Sequence, residues 1–290
     1  MIEQRAIGAR IGAGERYGGA LSCCVINVEA RFREAYGAHR AAEGRALDED
    51  SLFTLPYLTR GPHAKQWIVR ARTFDAFVDR VLVPASQARG RPLRVLDLGA
   101  GNGWLSWRVA RAGHDAVALD LRDDDVDGLG AARPYVAEQH RRIMRVVGAF
   151  QALPVHDSFA DMVVFNASLH YAVDLAVTLA EAWRVTMAGG RVVILDSPFY
   201  RRESDGDAMV VEKRRHARRQ FGERADALMS LPFIEYLTAP RLDAASTSLG
   251  VQWRRHRVRY PFWYELRPLA ARVRGERVPS RFDVWEGVVA

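Results

Sequence analysis

Between Leu93 and Ser197, short runs of consecutive apolar residues alternate with longer stretches in which apolar positions recur every three or four residues. The runs LRVLDLG, DAVALD, RIMRVVG, ADMVVFNAS and GRVVILDS read as strands, and the intervals between them read as helices. Such alternation predicts an α/β fold: a mostly parallel sheet with crossover helices on both faces. The clearest helix is VDLAVTLAEAWRVTM, with Leu175, Leu179 and Trp183 on one side and Gly189-Gly190 expected to end it. Upstream, Ile68, Ala71, Phe74, Phe77, Val78, Val81 and Leu82 recur at helical spacing and predict one amphipathic helix that Pro84 closes.

These patterns divide the chain into an N-terminal extension with a capping helix, residues 1–88, and a core over residues 89–290. After Pro198 the rhythm breaks into a charged stretch of helical character, so a helical lid is expected at about 198–238, covering the carboxyl edge of the sheet. RLDAASTSLG then reads as a short helix, and VQWRRHRVRY and RFDVWEGVVA as two last strands. Near the start, ALSCCVINVEARF has β-like character. GAGERYGG superficially resembles a phosphate loop, but it follows no predicted strand and is set aside.

Composition sets the class. Of 290 residues 49% are hydrophobic and 27% charged, and no apolar run approaches the ~20 residues that cross a bilayer. The first residues lack the basic start and apolar core of a secretory signal. Cys23 and Cys24 are adjacent, which suits neither a mutual disulfide nor a structural zinc site, so reduced thiols and a cytoplasmic protein are expected. The formal charge of +7 suits anionic partners. Lysine, however, occurs only at Lys65 and Lys213, so the excess is almost all arginine and reads as a composition bias as much as a binding surface. Nucleic acid is accordingly disfavoured as a partner, and the arginine-rich run EKRRHARRQ reads as a solvated helix face.

The stretch RVLDLGAGNGWLSWRVARAGHDAVALD carries the chemistry. Its glycines, Gly99, Gly101 and Gly103, are spaced G-x-G-x-G, and Trp104 stands where a dinucleotide fingerprint has its third glycine. Asp97 places a carboxylate beside the loop, which would repel a pyrophosphate and attract a cationic amino group. Asp120 ends the second strand, where a carboxylate can accept ribose hydroxyls. An acid that ends an apolar strand is costly without a partner. Together these features fit a ligand with a ribose, a cation and no pyrophosphate.

At these residues the sequence resembles class I S-adenosylmethionine-dependent methyltransferases. VLDLGAGNG is similar to their first motif, and ALPVHDSFADMVVFNASLHY with AWRVTMAGGRVVILDSP resembles the later ones in order and spacing, over about Leu93 to Pro198. The resemblance implies a Rossmann-like seven-stranded sheet with the last strand antiparallel. It implies S-adenosylmethionine as cofactor and S-adenosylhomocysteine as product; no metal-ligand cluster is visible in the sequence, so no metal is expected. Asp97, Gly99, Ala100, Gly101 and Asn102 would surround the methionine moiety, and Asp120 and Leu121 would hold the ribose and the adenine edge. Many relatives carry an acid at the position of Ala149, for which Phe150 or Gln151 would compensate. Asn166, Ala167 and Ser168 would line the sulfonium side.

His170 lies just past the fourth strand and is the candidate general base, with a purely pocket-shaping role as its alternative. The chain has Asn166-Ala167-Ser168-Leu169 where enzymes acting on exocyclic amines carry Asn-Pro-Pro-Tyr-like motifs, and its cysteines lie far upstream. The acceptor is therefore expected to be a small molecule. Phe199, Tyr200, Phe233, Tyr236, Tyr260, Phe262, Trp263 and Tyr264 could form its pocket or simply cement the lid. An RNA substrate and a non-catalytic cofactor-binding module are the two alternatives, and a homodimer is left open.

Overall fold

In a computed structural model of the protein, residues 47–139, 142–222 and 232–290 are described. GAGERYGG, ALSCCVINVEARF and both cysteines lie outside them. In chain order the elements are α1 (Glu49–Thr54), α2 (Ala64–Phe77), a π turn (Val78–Leu82), α3 (Val83–Arg89), β1 (Arg94–Leu98), α4 (Trp104–Arg111), β2 (Asp115–Asp120), α5 (Arg133–Glu138) and β3 (Ile143–Val147). There follow β4 (Ala160–Asn166), α6 (Leu175–Val185), β5 (Thr186–Leu195), α7 (Glu203–Phe221), α8 (Ala239–Ala245), β6 (Arg254–His256), α9 (Phe262–Glu265), α10 (Arg267–Val273) and β7 (Val284–Val288).

The strands form one seven-stranded sheet in the order β3-β2-β1-β4-β5-β7-β6. β1 to β5 run parallel, and β7 is antiparallel to both β5 and β6. All seven residues of β4 are buried, as a central strand with covered faces requires. The chain moves outward from β1 through β2 to β3 and then returns to lay β4 on the other side of β1. The carboxyl ends of β1 and β4 therefore flank a topological switch point, where an open α/β sheet leaves a crevice.

Each face of the sheet has its own apolar layer. On one side Trp104, Leu105 and Trp107 of α4 pack with Trp67, Phe74 and Phe77 of α2 over Val95, Met162 and Val193. On the other, Leu175, Leu179 and Ala182 of α6 and Leu242 of α8 pack over Leu96, Leu98, Val163 and Phe165. Val95 and Leu96 fall in different layers because successive strand side chains point to opposite faces. At the opposite end from the crevice, the buried Asp161 accepts two hydrogen bonds from Arg91, at 2.9 and 2.7 Å, and one from the Arg94 amide at 2.9 Å, which pins the start of β1 to the start of β4.

Three boundaries differ from the sequence reading. Pro84 does not close the N-terminal helix. The Val83 amide bonds the Val78 carbonyl, five residues back, and this wide turn delivers Pro84 to the first turn of α3, where a missing N–H costs nothing. Gly189-Gly190 does not end α6, which stops at Val185; the glycines lie inside β5, which already pairs with β4 at Thr186. β6 keeps only Arg254–His256 of the longer predicted strand.

The segment after Pro198 contains the helix α7, along which residues 212–220 lie mostly exposed. The returning segment zips onto the loop after β4: the Ile234 amide bonds the Ala172 carbonyl and the Glu235 amide the His170 carbonyl. Among the described residues no helix is long and apolar enough to cross a membrane, and no group of metal-ligating side chains occurs.

Candidate active site

The loop after β1 turns because its glycines do what other residues resist. Gly99, Gly101 and Gly103 have φ of +73°, +54° and +75°. At Gly99 a Cβ would lie 2.4 Å from the Ser168 Cβ, so the first glycine also permits the close approach of the β4 loop. The Ser168 hydroxyl closes that approach by donating to the Leu98 carbonyl. Gly103 is the N-cap of α4, which points the positive end of the helix toward the crevice. Trp104 is tolerated where a dinucleotide-binding chain has glycine because its ring turns to α2. It meets Trp67 edge-on at 5.9 Å and Phe74 at 5.5 Å.

Above the loop is a cavity of about 400 Å³. Its wall brings together Gly99, Ala100, Gly101, Asn102, Asp120, Leu121, Phe150, Gln151, Asn166, Ala167, Ser168 and His170, which is every predicted site residue except Asp97. Asp120 Oδ2 accepts from the Gly101 amide at 2.8 Å and Oδ1 from the Arg122 amide at 2.9 Å. Each oxygen keeps a further lone pair for a ligand. Burial raises the Asp120 pKa, and those two backbone amides oppose it.

Asp97 sits beneath the loop rather than on the cavity wall. It is 1% exposed, Oδ2 accepts from Ser106 Oγ at 2.9 Å, and Oδ1 has no hydrogen-bond partner. Burial pushes its pKa up to about 7, with Ser106 opposing and nearby Asp120 adding to the rise. A buried carboxylate oxygen without a donor is costly unless a ligand or proton supplies one.

Past β4, Ala167 adopts φ +56° and His170 sits in a single turn with its ring 4.3 Å from Tyr171. Phe233, from the returning lid segment, meets Tyr171 edge-on at 5.4 Å and lines the cavity. Of the eight aromatic residues predicted for an acceptor pocket, Phe233 alone reaches this cavity, and Trp263 and Tyr264 reach a smaller neighbour. Phe199 instead stacks on Trp285 of β7, Tyr200 meets Tyr236 within the 198–238 segment, and the Tyr260 hydroxyl pairs with Thr73 of α2.

Sequence reasoning missed Trp67, Arg70, Arg122 and Asp196 on the wall. Asp196 had a signal, since it is a third acid ending an apolar strand, like Asp97 and Asp120. It is 7% exposed, has a left-handed φ of +48°, and accepts from Arg70 Nε at 3.4 Å on Oδ2, while Oδ1 has no hydrogen-bond partner. Burial raises its pKa and Arg70 lowers it. Arg70 had no such signal, because a lone arginine in a predicted helix gives no indication of which strand end it will reach.

Residues 96–194 match the family described as a methyltransferase domain. This match, over roughly a third of the chain, supports the resemblance to class I S-adenosylmethionine-dependent methyltransferases. The match spans the glycine loop, Asp120, the β4 loop and most of β5, the segments that build the cavity. Over 104 residues the chain is 34% identical to a malonyl-[acyl-carrier protein] O-methyltransferase of Erwinia pyrifoliae, covering 36% of this chain and 37% of that protein. Over 99 residues it is 36% identical to an uncharacterized methyltransferase of Mycobacterium bovis, covering 34% and 37%. The chain thus aligns with little over a third of the length of these relatives. Among solved structures, the CurJ carbon methyltransferase aligns over 83% of this chain and 59% of its own, with a TM-score of 0.53 and 14% identity, a likeness of fold.

Proposed function

We propose that the protein transfers a methyl group from S-adenosylmethionine to an oxygen, nitrogen or carbon of a small molecule. One observation carries the reading: Asp120 is tied to the Gly101 amide at the wall of a cavity that the β4 loop also lines. The residues fit the cofactor chemically. Asp120 offers acceptors for hydroxyls, and the unpartnered Asp97 Oδ1 suits an ammonium nearby. Asp97, Gly99, Ala100, Gly101 and Asn102 would hold the methionine part, Asp120 and Leu121 the ribose and adenine edge, and Phe150 and Gln151 the base. Asn166, Ala167 and Ser168 would lie on the sulfonium side.

When bound, the cofactor supplies an electrophilic methyl group and leaves as S-adenosylhomocysteine. The chain's own residues then position an acceptor and exclude water, which falls to Trp67, Tyr171 and Phe233. An O–H or N–H acceptor must also lose its proton. Two groups on the cavity wall can take it: a ring nitrogen of His170, and Asp196 Oδ1, whose partner oxygen is held by Arg70.

Calorimetric titration with S-adenosylhomocysteine, alongside NAD, tests the cofactor site. Micromolar binding of the first, absent for NAD and lost in Asp120→Ala, supports it; binding of NAD instead would overturn it. Transfer of labelled methyl groups to a pool of small-molecule acceptors, with RNA as the comparison, then tests the substrate class. Label appearing only in RNA would replace the small-molecule reading, and tight cofactor binding without transfer to any acceptor would leave a binding module.

A further inference from the structure

Next to the large cavity is a second one of about 250 Å³. Arg70, Ala167 and Asp196 line both, so the two adjoin at the carboxyl ends of β4 and β5. Ala167 and Asp196 are also two of the few non-glycine residues with left-handed φ. Strain at adjacent strand ends that border two cavities is typical of functional sites.

The smaller cavity has flat apolar surfaces from Trp263, Tyr264 and Phe282, and its charged wall residues are Lys65, Arg70, Arg267 and Asp196. Asp196, the only acid among the described residues that line it, is paired with Arg70. That leaves two cations. Neither Lys65 nor Arg267 makes an ion pair with a described residue, and the Arg267 guanidinium lies over the Tyr264 ring at 4.5 Å, which directs it along the aromatic wall. The arginines along α7 are exposed to solvent; Lys65 and Arg267 instead border a cavity.

We propose that the smaller cavity is the acceptor's subsite and selects a flat, apolar molecule bearing a carboxylate or phosphate, met by Lys65 and Arg267. This rests on the methyl-transfer reading: with cofactor in the larger cavity, the acceptor's reacting atom would lie where the cavities adjoin, beside Asp196. The flat body would lie on Trp263 and Tyr264. The anionic group would sit on the side away from Asp196, where it avoids a like charge.

The test uses the whole protein saturated with S-adenosylhomocysteine and four probes of one skeleton: 3-phenylpropionate, 2-phenylethyl phosphate, 3-phenylpropan-1-ol and 3-phenylpropylamine, followed by ligand-observed NMR. The acid or the phosphate binds at least about tenfold tighter than the alcohol and the amine, and whichever is tighter identifies the anionic group. Lys65→Ala/Arg267→Ala, at two side chains outside the core, abolishes the preference while S-adenosylhomocysteine affinity is unchanged. An alcohol that binds as well as the acids, or a preference that survives the double substitution, overturns the proposal. Failure of S-adenosylhomocysteine to bind would count against the cofactor reading alone, and the same four titrations on the ligand-free protein would still decide the subsite.

Discussion

The Gly101 amide donates to Asp120 Oδ2 over 2.8 Å, so the loop after β1 and the end of β2 are held at one point. The acid thereby orients the glycine loop and keeps lone pairs for a ligand.

Asp120→Ala should remove both roles. Hydrogen bonds to a charged group contribute about 1.5–3 kcal/mol, so S-adenosylhomocysteine affinity should fall at least about tenfold. Asp120→Asn should retain part of it. Equal affinity in Asp120→Ala and the parent, measured by calorimetry, would show that the ribose is held elsewhere.

Gly99→Ala combines a strained φ with a Cβ 2.4 Å from that of Ser168. Left-handed strain and overpacking each cost about 1–3 kcal/mol, so the melting temperature should drop by about 5–10 °C. Cofactor binding should be lost with it, because the displaced atoms belong to the cavity wall. A thermal melt indistinguishable from the parent would show that the two loops separate freely.

Asp97 should make both stability and binding depend on pH. Its pKa is about 7 in the folded protein, above its value in the unfolded chain. The folded state therefore holds the proton more tightly; that stabilisation is complete only below the ordinary carboxyl value of 3.8 and is lost progressively as the pH rises from there through 7. Asp97→Asn should remove the loss, so its melting temperature should gain on the parent between pH 5 and pH 8. Binding should move the opposite way if Asp97 meets the ligand's ammonium: affinity for S-adenosylhomocysteine should rise from pH 6 to pH 8 in the parent and stay flat in Asp97→Asn. A parent that gains stability relative to the variant on alkalinisation would contradict the assigned burial effect.

The two candidate proton acceptors make different predictions. For whichever acceptor is methylated on oxygen or nitrogen, substituting the true base should lower kcat by about 10²–10⁴ and leave S-adenosylhomocysteine affinity within about twofold. Steady-state kinetics of His170→Ala and Asp196→Asn separate them. If both variants retain full kcat, the acceptor reaches the site already deprotonated or reacts at carbon.

Much of the fold was readable in the sequence because its signals are local. Five apolar runs separated by helical periods specify parallel strands with crossover helices, and alternate-residue glycines followed by an acid at the next strand's end mark a loop that lines the cavity. Twelve of the thirteen predicted site residues line the cavity for this reason: they sit at the ends of strands whose order places them together. The thirteenth, Asp97, lies beneath it, because only packing shows that Ser106 of α4 takes up one of its oxygens. The ends of α6 and of the N-terminal helix were misread because glycine and proline mark breaks only on average, and here pairing with β4 and a π turn absorbed them. Arg70 meeting Asp196, and Lys65 coming to lie near Arg267, join residues 126 and 202 positions apart. No sequence period encodes such a pairing; it exists only once α2 and the C-terminal loop have folded over the same end of the sheet.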